Sequence, residues 1–179
     1  MFVISIEFFS LLLEQDVILA RKAQSLGCPQ CGSRLDVSNF GRKPRGLEGA
    51  DSGVHHRLSY CCRKDGCRKR VTPVSVRFLG RKVYVGAVVI LAMSREWLKA
   101  VFRICRQTLG RWRLFWGTVL SHGSIFWKSA KSALPPTLQP TGSPIAIVEI
   151  FRERHESAES AFSKCLEFFS PLSVSGPSG

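Results

Sequence analysis

The sequence predicts an α+β protein: a small β unit closed by cysteines, then a helical segment with the outline of a helix-turn-helix, with amphipathic helices on both flanks. Three observations carry this reading. The cysteines cluster, with Cys28 and Cys31 in a C-P-Q-C-G turn and Cys61, Cys62 and Cys67 in a second group further on. Between the groups Gly27, Gly32, Gly41, Gly46, Gly49 and Gly53 punctuate a stretch with little propensity for long regular elements. Outside it, apolar residues recur at helical spacing near both ends and over residues 106–120.

A chain of 179 residues with 45% apolar content can bury a core, as one modest domain or two small ones, and is not compositionally disordered. Its formal charge of +13 points to a polyanionic partner, nucleic acid first. The charge is segregated. Residues 21–70 and 71–113 carry +8 each, residues 1–20 carry −3, and the remainder is near neutral. Seven cysteines, an odd number without a recognisable export signal, argue against a disulfide framework and for a reducing, cytoplasmic location.

In chain order, residues 1–25 read as an N-terminal helix. Phe2, Ile6, Phe9, Leu13 and Val17 fall on one helical stripe, widened by Phe8, Leu11, Leu12 and Ile18, so the helix is expected to cover the β unit or the later helices. The stretch carries Glu7 and has no Lys or Arg before Arg21, which distinguishes it from a secretory leader. The other apolar run, residues 83–93, falls short of the ~18 residues that span a bilayer, so no membrane segment and no membrane partner is expected.

Residues 26–76 form the β unit, with strand-forming runs at 34–40 and 57–60 and a stop at Thr72-Pro73. So small a unit cannot fill a core, and bound metal supplies folding free energy in such modules. Two turns offering paired thiolates can close on one tetrahedral Zn²⁺. The ligands expected are Cys28, Cys31, Cys62 and Cys67. Cys62 is favoured over Cys61 because the shorter C-x4-C loop, turned at Asp65-Gly66, matches structural sites. Buried free thiols and a redox C-x-x-C are the competing readings. His55 and His56 are taken as solvated loop residues, since four thiols complete the shell, and Cys105 and Cys165 as buried free thiols on helices.

Arg63, Lys64, Arg68, Lys69 and Arg70 surround the second cysteine turn, and the same sign continues at Arg77, Arg81 and Lys82. Such a cluster on a rigid turn suits phosphate contacts. Residues 77–130 form the helical segment. Ser94 can cap a helix over 95–102, Val101 and Phe102 close it, Ile104 lies in the turn, and a second helix runs over 106–120. Leu109, Trp112 and Trp116 face inward on that helix. Arg106, Gln107, Arg111 and Arg113 are then offered to a major groove or its phosphates. Residues 131–144, with Pro135, Pro136, Pro140 and Pro144, read as a linker. Residues 145–179 hold two helices, over 145–151 and 158–169, the second with a Phe162, Leu166, Phe169 stripe, and a frayed Ser-, Pro- and Gly-rich tail.

The segments C-P-Q-C-G, then C-C-R-K-D-G-C-R-K-R-V-T-P-V-S-V-R-F-L-G-R-K-V-Y, then R-Q-T-L-G-R-W-R-L-F-W together resemble a family of bacterial insertion-sequence proteins. In that family a transposase-type zinc ribbon precedes a helix-turn-helix, and the resemblance covers roughly residues 26–117. It implies zinc on Cys28, Cys31, Cys62 and Cys67 and DNA as the partner of the following helices. The chain departs from the pattern where Cys105 stands in place of a Ser N-cap. It also lacks the carboxylates of a metal-dependent nuclease: no Asp follows Asp65, and only Glu96 lies between Asp65 and Glu149. The function expected is a non-catalytic, zinc-stabilised DNA-binding protein of a mobile element, with RNA as the other nucleic acid this chemistry admits. A transposase or a second copy is the expected protein partner. The alternative is a zinc-ribbon protein-interaction module without nucleic-acid binding.

Overall fold

A computed structural model describes residues 4–47, 55–80, 82, 84–93, 100 and 102–174. It is an α+β structure of small antiparallel sheets and helices. The first helix, α1 (Ile6–Ser25), begins at Ser5, whose hydroxyl accepts from the Phe8 amide at 3.2 Å. Glu7 in its first turn and Lys22 in its last complement the helix dipole. Its buried stripe is Phe8, Phe9, Leu12, Asp16 and Ala20, whereas Ile6, Leu11, Leu13 and Ile18 face outward. The expected stripe was therefore turned, because apolar residues surround the first turns and local spacing alone sets no phase. Phe2 lies outside the described residues.

Asp16 sets that phase. Its carboxylate accepts from Arg77 Nε at 2.8 Å, from the Ser75 hydroxyl at 2.6 Å and from the Val76 amide at 2.7 Å, all buried. Arg77 Nη2 also donates to the His56 carbonyl at 2.9 Å. Arg77, read from the sequence as part of a basic surface, is instead an interior residue held by a partner far away in the chain.

Among the described residues five short strands follow: β1 (Leu35–Val37), β2 (Phe40–Arg42), β3 (His55–Arg57), β4 (Tyr60–Cys62) and β5 (Arg70–Val71). One sheet has the order β1-β4-β5, with Leu35 opposite Cys62 and Tyr60 opposite both Val37 and Val71. The other pairs β2 with β3, placing Phe40 opposite Arg57. The expected stop at Thr72-Pro73 falls directly after β5. His55 and His56 are strand residues rather than loop residues, and the His55 ring meets the edge of Phe9 at a centroid distance of 4.9 Å.

The helical body contains α2 (Gly86–Leu91), α3 (Arg106–Val119), α4 (Ile125–Ala130), α5 (Ile145–Arg154) and α6 (Ala158–Phe169). α3 presents Leu109, Trp112, Phe115 and Trp116 to the core, and α6 presents Phe162, Cys165, Leu166 and Phe169. Aromatic contacts join the elements. Trp116 meets Phe169 at 5.1 Å, Tyr84 meets Trp112 at 5.2 Å, and Phe8 of α1 stacks on Phe162 at 6.2 Å. The expected helix over 95–102 and its Ser94 cap fall largely outside the described residues.

Residues 131–144 include the 3-10 turn Lys131–Ala133 and lie against this core through buried Leu134 and partly buried Leu138. The tail expectation is corrected for its first part. Ser170–Ser173 form a 3-10 turn with Leu172 buried, and Ser173 Oγ accepts from the Ser75 amide at 2.8 Å. No helix among the described residues is long and apolar enough to cross a membrane.

Candidate metal centre

The first cysteine turn leaves the end of α1. Gly27 has φ +74, and a Cβ there would come within 2.8 Å of the Gly32 carbonyl oxygen, so glycine is required for the turn to close. The Cys28 amide donates to the Ser33 carbonyl at 2.8 Å, and the Gly32 amide donates back to the Cys28 carbonyl at 2.8 Å. In the second turn the Cys62 amide donates to Lys69 at 2.9 Å and the Cys67 amide to Lys64 at 3.1 Å. Gly66 (φ +81) and Arg68 (φ +44) take the left-handed conformations that bring this loop round.

The two turns meet. Cys28 Sγ lies 3.8 Å from Cys67 Sγ, Cys31 Sγ lies 3.4 Å from Cys62 Sγ, and all four sulfurs lie within 4.8 Å of one another. Four thiolates about 2.3 Å from one ion at tetrahedral angles are about 3.8 Å apart, so the arrangement fits a thiolate-bound metal. It does not fit disulfides, which need about 2.0 Å, and all the cysteines are free. Ser33, through its hydroxyl and its amide, holds the Cys31 thiol down to about 6, which favours the ligating thiolate. Burial pushes Cys62 up to about 12, so a cation is what would keep that sulfur deprotonated.

Cys62 is the member of the vicinal pair that joins the cluster. Adjacent strand residues point to opposite faces, and Cys61 Sγ accordingly turns away, 3.5 Å from the Arg68 carbonyl. Of the two remaining cysteines, Cys165 is buried as expected, whereas Cys105 is exposed. Cys105 occupies the N-cap of α3 with its Sγ 3.1 Å from Thr108 Oγ1, and bonding to Thr108 lowers its thiol pKa.

Arg63, Lys64, Arg68, Lys69 and Arg70 are all exposed around the second turn. Arg63 pairs loosely with Asp36 at 3.8 Å, and Arg70 Nη1 donates to the Ser38 carbonyl and Ser59 Oγ at 3.2 and 3.1 Å. Among the described residues Lys64, Arg68 and Lys69 have no acidic partner within ion-pair distance. Arg106, Gln107, Arg111 and Arg113 are exposed on the outer side of α3. Gly110 and Gly117 share that outer side, with open space where a Cβ would stand.

A third group of cations escaped sequence reasoning. Arg57 is buried, with Nη2 donating to the Pro73 carbonyl at 2.5 Å and Nη1 unpartnered, and desolvation pushes its pKa down to about 10. Arg42 Nη2 donates to the Lys82 carbonyl at 2.7 Å, and the Lys82 ammonium lies 3.7 Å from the Phe115 ring centroid. With Arg77 these side chains tie the β2–β3 hairpin to the helical body. Their alternation with exposed cations along the chain carries no inward signal; only the aromatic partners Phe9, Phe78 and Phe115 hint at it. No protein-family model, curated protein or solved structure matches this chain.

Proposed function

We propose that the protein is a non-catalytic, zinc-stabilised DNA-binding protein that acts in the cytoplasm as an accessory or regulator of a mobile element, alongside its transposase. The observation that carries this reading is the coincidence of a four-cysteine cluster with an exposed ring of cations on the turn that supplies two of its ligands. Four sulfur donors in tetrahedral arrangement suit Zn²⁺ among the common divalent ions, and a shell filled by protein ligands leaves no position for a reacting water. The ion would hold the turn, and the turn would hold the charges.

Arg63, Lys64, Arg68, Lys69 and Arg70 contact phosphates in this reading, which gives affinity without reading sequence. Arg106, Gln107, Arg111 and Arg113 supply limited base contacts and further phosphate contacts from α3. Gly110 would let the backbone of α3 approach the duplex closely. RNA offers the same phosphates and serves as the comparison ligand.

The test is binding of the metal-loaded chain to duplex DNA, single-stranded DNA and RNA over a range of salt concentrations. Neutralising five to eight phosphates, one for each Lys or Arg named, predicts a slope of log affinity against log salt of about −4.5 to −7 on duplex DNA. The Arg68→Ala/Lys69→Ala variant is expected to flatten that slope by about 2. A flat response overturns the reading, and zinc uptake without retention of any nucleic acid would favour the protein-interaction module.

A further inference from the structure

We propose that the outward face of α1 is a self-association surface, on which a second copy of this chain lays its own α1 in antiparallel orientation. This goes beyond the nucleic-acid reading and does not depend on it. Successive helical residues turn by about 100°, so Glu7, Leu11, Glu14, Ile18 and Lys22 form a single stripe. That stripe lies opposite the buried one of Phe8, Leu12 and Asp16. It is exposed, with Leu11 48% and Ile18 66% accessible, and two aliphatic side chains a heptad apart in that state are an uncovered seam.

Charge selects the occupant. Along the stripe the first half of α1 is acidic, with Glu7 and Glu14, and the last turns are basic, with Arg21 and Lys22. Positions 7 and 22 are equally distant from the point between Glu14 and Gln15, and so are positions 11 and 18. A two-fold axis through that point therefore sets Glu7 of each copy against Lys22 of the other, with Arg21 beside it. The same axis sets Leu11 of each copy against Ile18 of the other. Every contact then occurs twice, as an isologous interface requires. A parallel pairing would instead stack Glu7 on Glu7 and Lys22 on Lys22. The one unfavourable contact is Glu14 beside its own copy near the axis, and it gives the register a signature. The surface is one helix wide, which corresponds to a weak, concentration-dependent dimer.

Sedimentation equilibrium of the metal-loaded full chain, from about 5 to 500 μM, tests this. The expected result is a monomer–dimer equilibrium that Leu11→Asp or Ile18→Asp weakens by about tenfold or more. Glu7→Lys and Lys22→Glu should each weaken it several-fold, and the double variant should restore it. Glu14→Gln should tighten it by a few-fold, since it removes the like-charge contact. All five positions are exposed, and circular dichroism of each variant verifies the fold. The proposal is overturned by a chain that stays monomeric throughout, or by a dimer indifferent to Ile18→Asp. It is equally overturned if the double charge swap fails to restore association, which would point to a head-to-tail or parallel contact.

Discussion

Among the described residues, the buried apolar centre around the cysteines consists of five, Ala20, Cys28, Leu35, Tyr60 and Cys62, two of which are candidate ligands. In the helical body the buried centre runs from Ile4 to Leu172 and includes ten aromatic side chains. The contrast shows two ways of meeting the entropy of folding. The helical body does so with area, since each fully buried large side chain contributes about 1.5–3 kcal/mol. The cysteine sheet has too little area for that, its strands being only two or three residues long, and in the zinc-bound reading proposed above it depends on coordination.

The strongest way to break this contrast is to remove the metal. Structural zinc contributes about 10–16 kcal/mol of apparent binding free energy in comparable small modules. Chelation, or Cys62→Ser, should therefore abolish hydrogen-exchange protection in β1, β4 and β5. The emission of Trp112, Trp116 and Trp127 in the helical body should stay native. A red shift at the same chelator concentration would mean that both regions melt as one unit.

Asp16→Ala comes next, because it strands the Arg77 guanidinium in the interior and should cost about 3–5 kcal/mol in denaturant unfolding. Asp16→Ala/Arg77→Met should recover much of that loss, since the uncompensated charge goes with it. A smaller effect comes from Gly110→Ala, which should stabilise the helical body by about 1 kcal/mol while leaving metal affinity unchanged. Smallest of all, Cys61→Ser should change stability by no more than about 0.5 kcal/mol and keep full metal stoichiometry. Its neighbour Cys62 is expected to behave in the opposite way.

The cluster was legible because cysteines are few and their spacing is nearly a coordination list: the preference for Cys62 over Cys61 followed from loop length, and strand alternation gives the same answer. The inward faces of α3 and α6 were legible too, since Trp112, Trp116, Phe162 and Phe169 are too large to be placed outward casually. What failed was everything fixed by a distant partner. Asp16 and Arg77 are 61 residues apart, and nothing near either one marks it as buried. The phase of α1 failed for the same cause. The place of Cys105 at the cap of α3 was legible but its exposure was not, because a free thiol carries no sign of which way it faces, and residues 170–173 were missed because a Ser-rich segment gives no sign of a docked Leu172.

α1 sits in both buried centres, with Phe8 and Leu12 in one, Ala20 in the other, and Asp16 locked between them. A continuous helix of 20 residues is a stiff rod about 30 Å long, so it couples the cysteine turn to the helical body. In the nucleic-acid reading proposed above, a strand of phosphates held at Arg68 and at Arg106 together must be long enough to bridge the distance between them. Affinity plotted against oligonucleotide length is then expected to climb in a step rather than a ramp, at the length that first reaches both grips.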